Sequence, residues 1–179
     1  INWFILTPAP IYCFSLSFYV RILYKACQSP VVFLVYNGIN RLERGRKQIM
    51  YQGIIFDFNG TMFFDSQENE QAWRQFIYTS ANREITDQEF QHQIHGRPNQ
   101  AALEYFFNRS LTPCEVSQLS EGKERIYRQL CLENADRFHL VEGLTELLDQ
   151  LVDQQIPCAI ATAAGKGNID FYIEHFDLH

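Results

Sequence analysis

No two of the five cysteines (Cys13, Cys27, Cys114, Cys131, Cys158) stand at metal-ligand or redox spacing, and their number is odd. A zinc ribbon, a CxxC oxidoreductase and a small disulfide framework are therefore excluded, and the thiols are expected to be free in a reducing cytosol. There is no internal repeat and no low-complexity segment. Basic charge is scarce: 15 Lys and Arg against 21 Asp and Glu give a net charge of -6. That balance argues against nucleic acid as a partner, while a local site can still bind a small anion through a cation and backbone amides. Hydrophobic residues make up 46% and charged residues 20%, the composition of a globular chain.

The charge is unevenly spread. Residues 1–49 carry Arg21, Lys25, Arg41, Arg44, Arg46 and Lys47 against the single acid Glu43, leaving nine basic and twenty acidic residues for 50–179. A boundary near Met50 follows. The first segment opens on Ile rather than Met, and Trp3–Val20 is uncharged but interrupted by Pro8 and Pro10. It has neither a basic region before the apolar stretch nor a clear small-residue cleavage site, so a signal peptide is poorly supported. Two readings remain: an atypical extension translated from DNA upstream of a start at Met50, or a genuine membrane anchor. The first is preferred, and with it a cytoplasmic protein with no membrane partner.

From Met50 onward the pattern is that of an α/β chain. Gly53–Asp57 is a short apolar run ending in a carboxylate, as buried parallel strands read. Asn59-Gly60-Thr61 signals a turn. Helices are expected over 66–82, capped by Asp65 or Ser66, and from the capping box Thr86/Glu89; Gly96-Arg97-Pro98 then breaks the chain before a helix near 98–108. A second box, Thr112/Glu115 with Pro113 at the first helical position, opens a long helix to about Leu132. Leu144, Leu147, Leu148 and Leu151 place an apolar face on a helix over 143–153. Pro157–Thr162 is a second apolar strand, and Gly165–Asn168 lead into a last helix to about Phe176. Strands alternating with helices imply a parallel sheet, with ligands outside the carboxyl ends of its strands. Asp57 and Thr162 both fall at such ends.

A carboxylate at a strand end can attack phosphorus and form an acyl phosphate. It then needs donors for the equatorial oxygens and a cation to offset charge. The amides of Phe58, Asn59 and Gly60 are candidates for an anion-binding nest, Thr162 can donate its hydroxyl, and Mg²⁺ would join Asp57, a turn carbonyl and the phosphate.

Phe56-Asp57-Phe58-Asn59-Gly60-Thr61 resembles the first signature of the haloacid dehalogenase superfamily, DxDGT after a hydrophobic strand. Ala159-Ile160-Ala161-Thr162 resembles its second signature. The intervening helical block, of roughly 100 residues between the two motifs, resembles the cap of the subfamily containing β-phosphoglucomutase and phosphoglycolate phosphatase. Val141-Glu142-Gly143 is similar to that group's return from cap to core, and Ile94-His95-Gly96-Arg97-Pro98 to its cap loop facing the active site. The resemblance implies a Rossmann-like parallel sheet, incomplete here (50–65 and 141–179), with an inserted α-helical cap (66–140). It implies Asp57 as nucleophile, Asn59 and Thr162 as its catalytic companions, and Asp57 with the Asn59 carbonyl as metal ligands. Phe58, Gly60, Thr61, Ala163, His95 and Arg97 would bind phosphate or substrate. The implied activity is a Mg²⁺-dependent phosphatase acting on a small phosphorylated metabolite. The alternatives are a sugar-phosphate mutase and a non-catalytic phosphate binder.

Two departures qualify the resemblance. The family's second Asp, its general acid/base, is Asn59, which keeps the turn but cannot carry a proton. The family's Lys signature and acidic metal signature do not occur before His179, so the chain as given is expected to be inactive by itself. Asn69 stands where many relatives have His, which weakens the mutase reading. No Lys occurs in the early cap loop and no Tyr at 59, which lowers phosphonoacetaldehyde hydrolysis and dehalogenation. His92, His139 and His175 are expected at the surface or in packing. Trp73, Phe76, Tyr105, Phe106 and Tyr127 are expected to pack the cap.

Overall fold

The structure is a computed structural model that describes residues 2–6, 32–36, 41–43, 46–48 and 51–178, with side chains from Gly53 to Leu178. Most of the uncharged run Trp3–Val20, and with it the expected choice between upstream translation and an anchor, lies outside the described residues. No helix among the described residues is long and apolar enough to cross a membrane.

Chain contacts divide the molecule into two compact units, 1–64 with 139–179, and 65–138. The first is built on β5 (Tyr51–Asp57) and β6 (Cys158–Thr162), which pair in parallel with Asp57 opposite Ala161. Their alternation with helices was legible in the apolar runs, and the parallel pair is the one expected. Both flanks of this pair are covered by antiparallel neighbours. β1 (Asn2–Leu6) lies along β6 and β2 (Val32–Tyr36) along β5, giving the order β1-β6-β5-β2. These partners pair with backbone groups that the parallel pair alone would leave as open edges. A separate hairpin joins β3 (Arg41–Glu43) to β4 (Arg46–Gln48).

β5 and β6 approach closely where they enter the sheet. The Ile54 amide donates to the Pro157 carbonyl at 2.9 Å. A Cβ at Gly53 would stand 3.0 Å from that same oxygen, so the position accepts only glycine without a backbone shift. Helix α5 (Leu144–Asp153) returns the chain to β6 and α6 (Lys166–Phe176) follows it. The leucine face of α5 is only half buried. Leu144 and Leu151 are covered, whereas Leu147 is exposed, because Leu147 and Leu148 diverge around the helix from the two that pack.

The second unit is wholly helical: α1 (Ser66–Ala81), a single turn α2 (Asp87–Glu89), α3 (Asn99–Phe107) and α4 (Pro113–Glu133). Both capping boxes form with both of their bonds. The first box opens only one α-turn, which runs directly into a π-helical turn at Phe90–Ile94 that buries both terminal residues. Trp73, Phe76, Ile77, Leu103 and Phe106 belong to one continuous core. Tyr105 is the exception to the expected aromatic packing. It is 40% exposed, stacks edge-on against Phe106, and donates its hydroxyl to Glu89. α1 and α4 meet so closely that a Cβ at Gly122 would stand 3.0 Å from the Phe76 ring.

Polar side chains are also buried in this unit. Asp65 occupies the N-cap position of α1 without making a capping bond; its carboxylate instead accepts the Tyr127 hydroxyl at 2.6 Å. The Asp65 cap expected from sequence is thus replaced by a bond 62 residues away. Lys123 is 3% exposed, bonded to Asn69 at 3.0 Å and Glu124 at 2.8 Å, and lies over the rings of Trp73 and Tyr127. Glu68 is buried as well, paired with Arg137 at 3.2 Å through one oxygen. Its other oxygen makes no hydrogen bond.

Candidate active site

The carboxyl ends of β5 and β6 carry the candidate site. β5 ends on Asp57, and the chain then reverses in a tight turn. The Phe58 carbonyl accepts the amides of Thr61 at 3.1 Å and Met62 at 2.8 Å. Gly60 has φ +75°, a backbone that a side chain would strain. The Gly60 amide, expected to face a phosphoryl group, donates instead to the Phe63 carbonyl at 2.9 Å. Of the three amides proposed for the nest, this one therefore serves the turn itself.

Asp57 is half-buried. Burial pushes its carboxyl up from the usual value, opposed by the Phe58 amide and the Thr61 hydroxyl, which favour the charged form. Thr61 is buried and its hydroxyl donates to Asp57 Oδ2 at 3.4 Å. On the neighbouring strand, Thr162 is 4% exposed. Its hydroxyl accepts the Ala164 amide at 3.1 Å and donates to the Asn59 side-chain oxygen at 3.4 Å. The register is what brings Asp57, Asn59 and Thr162 together across 103 residues of sequence.

Asn59 is held from the other end too. Its side-chain nitrogen donates to the Tyr172 hydroxyl at 3.2 Å. Tyr172, on α6, is 1% exposed and sits 5.0 Å, ring centre to ring centre, from both Phe58 and Phe63. Phe63 in turn lies 5.3 Å from Phe176. The nucleophile turn is thus fixed to α6 by an aromatic cluster, with one phenol aimed at Asn59. Tyr172 was not foreseen: it falls on the apolar face of α6 with Ile169, and nothing in a hydrophobic stripe marks the member whose hydroxyl reaches another loop.

Ala163 is exposed just beyond β6, and Lys166 is exposed and paired with Asp170 at 2.5 Å. His95 and Arg97 are exposed on the helical unit, where Arg97 donates to Gln93 at 2.6 Å and to the His92 carbonyl at 3.4 Å. His92, His139 and His175 are exposed; the first two bond local carbonyls, and His175 stacks on Phe171. The described residues contain no group of three or more His, Cys, Asp or Glu able to hold a metal ion. What the turn offers is Asp57 and main-chain oxygens, a hard donor set of the kind magnesium takes when waters and a substrate oxygen complete its shell.

Comparison with known proteins bears on the family and the fold. Among solved structures, the chain resembles a haloacid dehalogenase hydrolase of family IA, variant 3, from Entamoeba histolytica. That match has 27% identity and a TM-score of 0.64, over 69% of this chain and 54% of that one. It also shares the fold of an Asp-to-Asn mutant of CbbY from Rhodobacter sphaeroides, solved with xylulose-1,5-bisphosphate. Here identity is 17% and the TM-score 0.57, over 73% of this chain and 59% of that one. The chain thus spans little more than half the length of these relatives. The comparison with curated proteins returns no match. The profile of the haloacid dehalogenase-like hydrolases matches residues 54–179, from β5 through α6, and the chain belongs to that family.

Proposed function

We propose that the protein to which this chain belongs is a Mg²⁺-dependent phosphatase of a small phosphorylated metabolite, working through a phospho-Asp57 intermediate. The observation that carries the reading is the register of β5 against β6, which sets a half-buried carboxylate beside a buried threonine hydroxyl at two adjacent strand ends. Asp57 attacks phosphorus. Burial raises its pKa, the mark of a carboxylate poorly solvated for an anion, and so more ready to form a covalent bond than one in water.

Thr162 turns its proton from Asn59 to a phosphoryl oxygen; we assign the Asn59 amide to the same group, together with the Phe58 amide once it leaves the Asp57 carboxylate it bonds in this structure. Asp57 and the Asn59 carbonyl would hold magnesium, which when bound offsets charge between nucleophile and phosphate. Thr61 orients the nucleophile through its hydroxyl. We assign His95 and Arg97 to substrate recognition, the guanidinium being suited to bidentate contact with phosphate or carboxylate. We assign a reducing cytoplasm as the working compartment, on five cysteines of odd number at no paired spacing.

A second reading, non-catalytic binding of a phosphate ligand, is favoured by one observation: a carboxamide at position 59. The test is phosphate release by the full-length protein from a panel of phosphorylated small molecules, with and without Mg²⁺, beside Asp57→Ala. Metal-dependent release lost in the variant supports the phosphatase. A folded protein that binds inorganic phosphate and releases none from any substrate supports the binder.

A further inference from the structure

Among the described residues hydrogen-bonded to one another at the two strand ends and α6, Asp57 is the one carboxyl; the others are Asn59, Thr61, Thr162 and Tyr172. A carboxyl that becomes the nucleophile cannot also protonate the leaving group. Asn59 has no proton to give, and both ends of its carboxamide are tied to hydroxyls: Tyr172 accepts from its nitrogen and Thr162 donates to its oxygen. Those hydroxyls are no substitute. A phenol titrates near 10 and an aliphatic hydroxyl far higher. Tyr172 is moreover closed off from solvent and receives an N–H bond rather than offering its own proton along it.

Leaving groups differ greatly in what they ask of such a site. An alkoxide, the leaving group of a sugar phosphate, is about as basic as hydroxide. It departs slowly unless protonated as the P–O bond breaks. A carboxylate has a conjugate acid near 4 and a phosphate one near 6. Either departs as a stable anion.

We propose that the site, hydrogen-bonded through Asn59 to Tyr172 and Thr162, takes acyl phosphates or phosphoanhydrides, substrates whose leaving group departs as an anion, in preference to alkyl phosphates. The proposal rests on the phosphatase reading above and narrows its substrate class. In the first step an Asp57 oxygen forms a bond to phosphorus. The bond from phosphorus to the leaving oxygen breaks, and its electron pair leaves with the carboxylate or phosphate, with no proton transferred. In the second, a water oxygen bonds to phosphorus, the pair of the breaking P–O bond returns to Asp57, and the water proton goes to a phosphoryl oxygen of the departing phosphate. Asn59 holds its place throughout, its nitrogen anchored on Tyr172 while Thr162 turns toward the phosphoryl group.

The experiment is a leaving-group series on the full-length protein. kcat/KM is measured for acetyl phosphate, a set of substituted phenyl phosphates and glycerol 3-phosphate, in the parent, Asn59→Asp and Asp57→Ala. The parent should lose rate steeply as the leaving group becomes more basic, with glycerol 3-phosphate at or near background. Asn59→Asp should flatten that slope, raising the alkyl ester by about 10²–10⁴-fold, the usual worth of general acid–base help, and acetyl phosphate by under about tenfold. A shallow slope in the parent, with glycerol 3-phosphate hydrolysed as fast as the phenyl esters and lost in Asp57→Ala, overturns the proposal and leaves the phosphatase standing. Release that persists in Asp57→Ala, or none from acetyl phosphate by folded protein, overturns the phosphatase reading and the proposal with it.

Discussion

The polar groups beside Asp57 and two pairs buried in the helical unit are held in different ways. Around Asp57 three side-chain hydrogen bonds are long: 3.4 Å from Thr61, 3.4 Å between Thr162 and Asn59, 3.2 Å between Asn59 and Tyr172. In the helical unit, Tyr127 meets Asp65 at 2.6 Å and Lys123 meets Glu124 at 2.8 Å. An oxygen–oxygen bond of 3.4 Å lies past the ordinary range, so little is lost when Thr61 or Thr162 turns to an incoming group. A charge-assisted bond at 2.6 Å is among the stronger ones and is not readily exchanged. On the proposed reading the loose hydroxyls are the ones that turn to a ligand, whereas the tight buried pairs hold a scaffold. The same element types, a carboxylate and a hydroxyl, serve both ends; distance and burial separate them.

The largest effect should come from removing mass from the helical core. Leu103 is fully buried, so Leu103→Ala should cost about 2–5 kcal/mol of unfolding free energy, read by denaturant titration. If the loss were under 1 kcal/mol, the helical unit would not be the closely packed scaffold the comparison makes it. In the sheet unit, Gly53→Ala forces a methyl against the Pro157 carbonyl and should cost about 1–3 kcal/mol through a backbone shift. Because that contact lies at the entry of β5 and β6, the variant should also lower turnover by displacing Asp57 from Thr162. Unchanged kcat/KM would show that the strand entry and the strand ends are not coupled.

Tyr127→Phe sharpens the contrast within the scaffold. It deletes one hydroxyl and leaves a buried carboxylate without its short bond, at a cost of about 1.5–3 kcal/mol. Tyr172→Phe, which deletes the hydroxyl at the long 3.2 Å bond, should cost less in the same unfolding assay. Equal losses from the two variants would mean that bond length in the two units carries no energetic meaning.

Much of this was readable in advance where a local signal existed. The apolar run ending at Asp57, the turn through Gly60, and the Thr86/Glu89 and Thr112/Glu115 boxes each announce themselves within a few residues, and the elements fall there. What escaped depends on distance in sequence. Asp65 looks like a helix cap because caps are local, yet its partner Tyr127 is 62 residues on. Tyr172 reaches Asn59 across 113 residues, and Lys123 reaches Asn69 across 54. The Gly60 amide illustrates the converse. Sequence shows that glycine is needed but not which carbonyl its N–H will find, and Phe63 takes it. The π-helical turn after Glu89 has no sequence signature that the capping box could have revealed.

The smallest effect is expected at the surface, where the α4 capping box meets an ion pair. The Arg109 guanidinium, together with the Thr112 amide and hydroxyl, holds the Glu115 carboxyl down to about 2 from a usual 4.5. A carboxyl depressed in the folded state contributes stability that is present above its unfolded value and is lost as pH falls through the folded one. The contribution should therefore be whole above pH 4.5 and gone near pH 2. Glu115→Gln keeps an oxygen for the Thr112 amide, since glutamine also closes a capping box, and removes the charge that meets Arg109. The parent should exceed the variant in Tm by a small margin at pH 6, the margin shrinking through that acid window and narrowing with added salt, as an exposed pair requires. A margin independent of both pH and salt would place the stabilisation in the box geometry alone. The surface of the helical unit would then owe nothing to charge, and the tight ionic bonding that sets it apart from the site would be confined to its interior.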